Sequence, residues 1–267
     1  MSAMPTLVGE AIRDAFRRRI VAAIVVLSLL SLFMVDGCTS CTAAGEIEVN
    51  GEARSLSDFG GATGALLFGV LGLWIVLLAG ILCADHLAQS LDDGQAHLTL
   101  SRPVSRNQFV MARLAGALAV ALCAAFFLLG GAGLLLSYRS GLSLAPALLS
   151  ALACVLAAFT TGSLAMLASL WLPRMAATIA VLAGLALVTL ANTVALFRGP
   201  ESQDTLAWID RVAPPLASSL WLPLGAWLPP QVPLQAEPLE IAVRAIVWAI
   251  AAFAALLLGF RRTELGR

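Results

Sequence analysis

Few residues in this 267-residue chain have the type and spacing to do chemistry. Cys38-Thr39-Ser40-Cys41 is a CxxC element. In an oxidising compartment such a pair closes as a disulfide, takes part in redox exchange or binds a soft metal such as Cu(I). A structural disulfide or an inert pair is the simpler reading. His86 and His97, the only two histidines, lie near Asp85, Asp92 and Asp93. Their eleven-residue separation matches no metal-ligand spacing, so a solvated polar segment is expected there and no metal. Cys83, Cys123 and Cys154 fall inside apolar runs and read as small buried hydrophobes. Asn192, with Thr189 and Thr193, either lines a pathway or makes interhelical hydrogen bonds, the commoner role.

Several chemistries are excluded. The 16 basic residues are all arginine. Without lysine there is no Walker A phosphate loop and no Schiff base. No ionisable residue stands near the centre of an apolar run, which weighs against proton-coupled transport and intramembrane aspartyl or metal-dependent proteolysis. No serine–histidine pairing is available there either. The chain therefore reads as a non-enzyme without catalytic residues or cofactor.

The elements that would position these residues are membrane helices. Hydrophobic residues make up 60% of the chain and charged ones 12%, against roughly 25% charged in soluble domains. Zero net charge argues against a nucleic-acid partner. Six apolar runs stand out: Ile20–Val35, Ala62–Cys83, Leu114–Leu136, Ala147–Leu172, Met175–Phe197 and Ile241–Phe260. The last five approach the ~20 residues that cross a bilayer core, while the first is short. The fold expected is all-α, with six transmembrane helices in one membrane domain over 20–267. Residues 1–19 form a separate interfacial helix, because an apolar stripe alternates with a face carrying Arg13, Arg17 and Arg18. Read instead as a signal peptide ending near Cys38, this region fits the remaining topology less well.

Arginine asymmetry sets the orientation. Six spans place both termini on one face, with eleven arginines there (13, 17, 18, 19, 102, 106, 113, 174, 261, 262 and 267) against five on the other (54, 139, 198, 211 and 244). Both termini and the 84–113 segment are accordingly expected in the cytoplasm, in a multi-pass bacterial inner-membrane protein. On the outer side, Asn50-Gly51 between alternating residues predicts a β-hairpin over 47–54. Residues 198–240 carry eight of the twelve prolines and three of the six tryptophans. That composition predicts re-entrant or interfacial helix on the outer leaflet, with Trp208, Trp221 and Trp227 in the aromatic belt.

The 84–113 segment is much longer than a connection between two helices requires. It begins with a polar helical lead-in, passes through Asp92-Asp93-Gly94 and ends with Ser101-Arg102-Pro103-Val104-Ser105-Arg106. This pattern, with the interfacial helix, the six spans and the outer stretch, resembles the type-2 ATP-binding cassette (ABC) exporter permeases. Asp93-Gly94-Gln95, Leu98-Thr99-Leu100, Ser101–Arg106 and Ala112-Arg113 stand where that family carries an acidic residue near Gly-Thr, leucines, Ser-x-Pro-Val/Ile-Ser-Arg and Gly-Lys. Gln95 and Ala112-Arg113 depart from it, although charge is kept at Arg113. The likeness of plan covers nearly the whole chain, the motif about twenty residues.

The resemblance implies a transport subunit working as a homodimer or with a sister permease, driven by two copies of a separate cytoplasmic ATPase. It implies coupling through Asp92, Asp93, Gly94, Arg102, Pro103, Ser105 and Arg106, and lipid contact through the interfacial helix. Pro103 restricts Arg102 and ends a short helix that could seat in an ATPase groove. Members serve copper-site maturation or export drugs, lipids or peptides, so no substrate is implied. The alternative is a non-transporting scaffold or sensor subunit; a membrane-embedded enzyme is a third reading without a catalytic constellation.

Overall fold

The computed structural model describes residues 46–49, 52–92, 105–198, 205–229, 234 and 236–262, with isolated positions 9, 26, 30 and 33. Apart from one hairpin, the described elements are helical. Strands β1 (Glu46–Val49) and β2 (Glu52–Ser55) pair antiparallel, with Val49 opposite Glu52. That register leaves a two-residue connection at Asn50-Gly51, as the turn chemistry predicts.

Five helices are long and apolar enough to cross a membrane. They lie within α1 (Leu56–Asp92), α2 (Arg106–Ser140), α3 (Leu144–Ala168), α4 (Arg174–Arg198) and the last helix, α7 (Pro238–Arg262). The chain is thus a polytopic helical membrane protein. The first expected run, Ile20–Val35, falls largely outside the described residues, as does the interfacial helix with Arg13, Arg17 and Arg18. Val26, Leu30 and Phe33 are helical and exposed.

The helices overrun the hydropathy boundaries. α1 begins at Leu56 rather than Ala62 and continues past Cys83 to Asp92, because no proline interrupts it. Its extension carries Asp85 and His86 inside the bundle, at 6% and 3% exposure. The expectation of a solvated loop at these two residues is therefore corrected: they are buried helical residues. α2 begins at Arg106, eight residues before its apolar run. Ser105 Oγ accepts from Gln108 N–H, and Gln108 Oε1 accepts from Ser105 N–H, a reciprocal cap. α2 ends at Gly141, whose φ of 63° suits a residue without Cβ. Only Gly141-Leu142-Ser143 joins it to α3.

Between α4 and α7, proline divides the chain into α5 (Thr205–Val212), α6 (Leu216–Leu224) and a 3-10 turn at Gly225–Trp227. Pro214-Pro215 breaks α5 from α6. Of this pair α5 is largely exposed, but α6 does not lie on the surface. α6 packs on α1, α3 and α4, and Leu216, Leu220, Leu224 and Trp227 are buried. A Cβ on Gly69 of α1 would stand 2.6 Å from the Trp221 ring, so the absence of a side chain admits α6. The expected tryptophan belt is correspondingly reduced. Trp208 is exposed, but Trp227 is buried and donates its indole N–H to Ser143 O at 3.2 Å.

Alternation of the spans gathers two ends. The hairpin end holds β2, Gly141–Ser143, and the α5–α6 pair. The arginine-rich end holds Asp85, the start of α2, the α3–α4 turn and the end of α7. α1 and α3 form the centre, each packed on several neighbours. One apolar cluster, with Phe109, Leu87, Leu256 and Phe260, fills the arginine-rich half. A second, with Phe68, Leu128, Leu220 and Trp227, fills the other. Cys83 and Cys154 are buried as expected, whereas Cys123 is exposed on α2.

Candidate functional sites at the two ends

The arginine-rich end carries the expected coupling residues, in part. Asp92 is the last residue of α1, Ser105 caps α2 and Arg106 opens it. Asp93, Gly94, Arg102 and Pro103 lie outside the described residues, together with His97 and the Cys38–Cys41 pair. What the structure does show is how the far side of that segment is held. Arg106 Nη1 donates to Arg261 O at 3.4 Å, and Arg261 Nε donates to Asn107 Oδ1 at 3.1 Å. The first turn of α2 is thereby fastened to the last turn of α7, 155 residues later in sequence. One turn further in, Phe109 stacks on Phe260 with centroids 6.1 Å apart, and the Arg113 guanidinium sits 5.4 Å from the Phe109 centroid. Such a cation over an aromatic face is attractive and adds to the stack.

On the same end, buried Asp85 of α1 pairs with Arg174 at the start of α4. Pro173 ends the preceding turn and sets Arg174 there, while the uninterrupted α1 brings Asp85 beneath it. Sequence reasoning had both residues at one membrane face but had no means of pairing them across 89 positions.

The hairpin end contains a polar group that the sequence did not reveal. Asp210 of α5 receives Asn192 Nδ2 at 2.6 Å and stands 3.6 Å from Arg244 Nη1. Arg244 Nη2 also donates to the main-chain oxygens of Asp210 and Ala213, the latter at 3.3 Å. These are carbonyls at the C-terminus of α5, where a cation offsets the helix dipole. Glu240, one turn before Arg244 on α7, lies at 4.0 Å on its outer side. Asn192 is fully buried, and its Oδ1 accepts from Ala217 N–H at 3.1 Å. It lies six residues inside the end of α4, about 9 Å at the helical rise. Asn192 therefore joins helices, as anticipated, and specifically holds both arms of the proline-tipped pair. Arg244 joins the same pair to α7.

Beside this group opens a cavity of about 330 Å³ lined by Asp210, Ser218, Glu237, Glu240 and Arg244 with apolar neighbours. Among the described residues no three His, Cys, Asp or Glu side chains converge to hold a metal ion. The spacing Glu240–Arg244 was a readable helical i,i+4 signal. Its connection to Asp210 was not readable, since seven prolines break the chain between them. Neither a protein-family model nor a curated protein sequence matches this chain.

Proposed function

We propose that the chain is the membrane permease subunit of an ABC transporter, an exporter, working as a dimer and driven by a separate cytoplasmic ATPase. The observation that carries this reading is the anchoring of the 93–104 interval. On one side it follows a 37-residue helix at the centre of the bundle. On the other it feeds a capped helix whose first turn is fastened to the last turn of α7. A force applied to that interval reaches three spans through short connections. A helix connection with no mechanical role needs neither the length nor the ties. The absence of lysine supports an external source of energy, because the chain has no phosphate loop of its own. In this reading the arginine-rich end faces the cytoplasm of a bacterial inner membrane, following the arginine asymmetry. Asp92, Asp93, Gly94, Arg102, Pro103 and Arg106 then line the ATPase contact, and the interfacial helix flanks it.

The test uses a variant with residues 90–106 scrambled, expressed with its ATPase. It should insert and retain the spans, yet fail to copurify with the ATPase and fail to modulate ATP hydrolysis in lipid. Normal copurification and coupled hydrolysis would overturn the assignment of the interval. Sidedness is tested with single cysteines. Those at Ser55 and Gln203 should react with an impermeant thiol reagent in intact cells, and one at Ser90 should not; the reverse pattern inverts the topology.

A further inference from the structure

Five arginines of the arginine-rich end lie among the described residues, and four of them are engaged. Arg106 and Arg261 tie α2 to α7, Arg113 covers the Phe109 ring and Arg174 pairs with Asp85. Arg262, the last residue of α7, is exposed and has neither an ion pair nor a hydrogen bond among the described residues. It lines a cleft of about 380 Å³ between α3 and α7, together with Leu167, Trp171, Ala255, Leu258 and Gly259. Gly259 sets the approach of the two walls. A Cβ there would stand 2.8 Å from Leu167 Cδ1 and 3.9 Å from the Trp171 ring.

α3 and α7 both run toward the arginine-rich end, so both walls of the cleft grade in the same direction. On α7 the lining passes from Ala255 and Leu258 to Arg262, about 10 Å at the helical rise. On the other side it passes from Leu167 to Trp171, in the turn that follows α3. Trp171 is 67% exposed and Leu258 54%, so the cleft opens on the perimeter of the bundle. Its apolar part belongs to the membrane span. Its indole and guanidinium stand where the apolar run of α7 stops at Phe260. Tryptophan and arginine at that depth are the side chains that meet lipid headgroups, and basic clefts between spans hold anionic ones.

Charge decides among occupants. A guanidinium without a carboxylate partner presents paired N–H donors that match the oxygens of a phosphate. The lining contains no acidic side chain, so the ammonium of a zwitterionic headgroup finds no acceptor side chain there. A headgroup with net negative charge needs none. Free phosphate, in turn, would leave the apolar length of the cleft uncovered. A cavity of about 150 Å³ accepts a benzene ring, so this cleft has room for glycerol phosphate and the first methylene groups of one chain.

We propose that the α3–α7 cleft holds one anionic glycerophospholipid, with its phosphate on Arg262, its glycerol beside Trp171 and an acyl chain along Leu258 and Ala255. The inference requires only that the arginine-rich end lie at a membrane boundary, and it does not depend on the transport reading.

The test is native mass spectrometry of the full chain released from detergent with phosphatidylglycerol or phosphatidylethanolamine of identical acyl chains. The chain should retain phosphatidylglycerol about fivefold better, the ratio that one arginine at an anionic surface provides. Arg262→Gln should erase the preference. Arg261→Gln removes the same charge one residue away, outside the cleft lining, and should keep it. Ala255→Phe should fill the apolar part and lower retention of both lipids, with circular dichroism establishing that the variant is folded. Equal retention of the two lipids by the unaltered chain would overturn the proposal, as would a preference that survives Arg262→Gln or disappears equally in Arg261→Gln. Displacement of the lipid by excess glycerol 3-phosphate would reduce the cleft to an anion site. Loss of a dimer in Arg262→Gln with lipid retention unchanged would assign the cleft to a second copy of the chain.

Discussion

The two ends of the bundle are fastened by different means. At the hairpin end, Asn192, Asp210 and Arg244 form a partly buried polar bolt through α4, α5 and α7. At the arginine-rich end, α2 meets α7 through an aromatic stack and two exposed arginine contacts. Withdrawing a charge from a low-dielectric site leaves its partner uncompensated, whereas an exposed contact is readily replaced by water. The hairpin end is therefore built to keep one arrangement; at the other end Asp85 and Arg174 likewise hold α1 to α4, but the α2–α7 seam can exchange contacts at low cost. The transporter proposed above would need both properties.

The comparison is broken most directly at Arg244. Arg244→Leu should destabilise the chain by about 3 kcal/mol, the lower end for removing one partner of a buried pair, because the bolt is only partly buried. Chemical denaturation in detergent measures it. Loss below about 1 kcal/mol would show that the bolt is not a fastening at all. Adding Asp210→Leu should recover part of the loss, since no carboxylate then remains unpaired.

Asn192→Ala should follow, at about 1–3 kcal/mol, because it leaves the Ala217 N–H without its acceptor. Hydrogen exchange should rise in α5 and α6 while α2 stays protected. Uniform loss of protection would mean that the pair is not a separable unit. Ser105→Ala removes the cap of α2 and should cost about 1 kcal/mol, with fraying confined to its first turn. Smallest of all, Arg261→Ala should change stability by less than about 0.5 kcal/mol, as exposed contacts do. If it instead weakens the chain as much as Arg244→Leu, the asymmetry between the ends is wrong.

How much of this was legible follows from the range of each interaction. Apolar runs located the five described spans, and Asn50-Gly51 located the hairpin, because both signals are local. The helix limits were missed where charge was mistaken for a boundary: Asp85, His86 and Asp92 are polar, but nothing at those positions stops a helix. The inserted depth of α6 was only half visible. Proline clustering announced a broken segment, but the packing of Trp221 and the burial of Trp227 depend on Gly69 and on Ser143 O, far away in sequence. Of the coupling residues, the capping role of Ser105 was readable from Ser-x-x-Gln, a pattern that went unused. Asp210 was hidden because its two partners belong to different spans.

The turn at Gly141–Ser143 makes a long lever of α2. Three residues, pinned by the Trp227 indole, join it to α3, so at that end the two helices have almost no freedom to separate. With 35 residues, α2 extends about 52 Å from this fulcrum. A tilt of about 5° there sweeps Arg106 through roughly 4.5 Å by that length, the rise of about three helical residues. Small angular play beside the hairpin thus becomes a stroke of useful size at the opposite face, and a push of that size there returns as only a slight rotation.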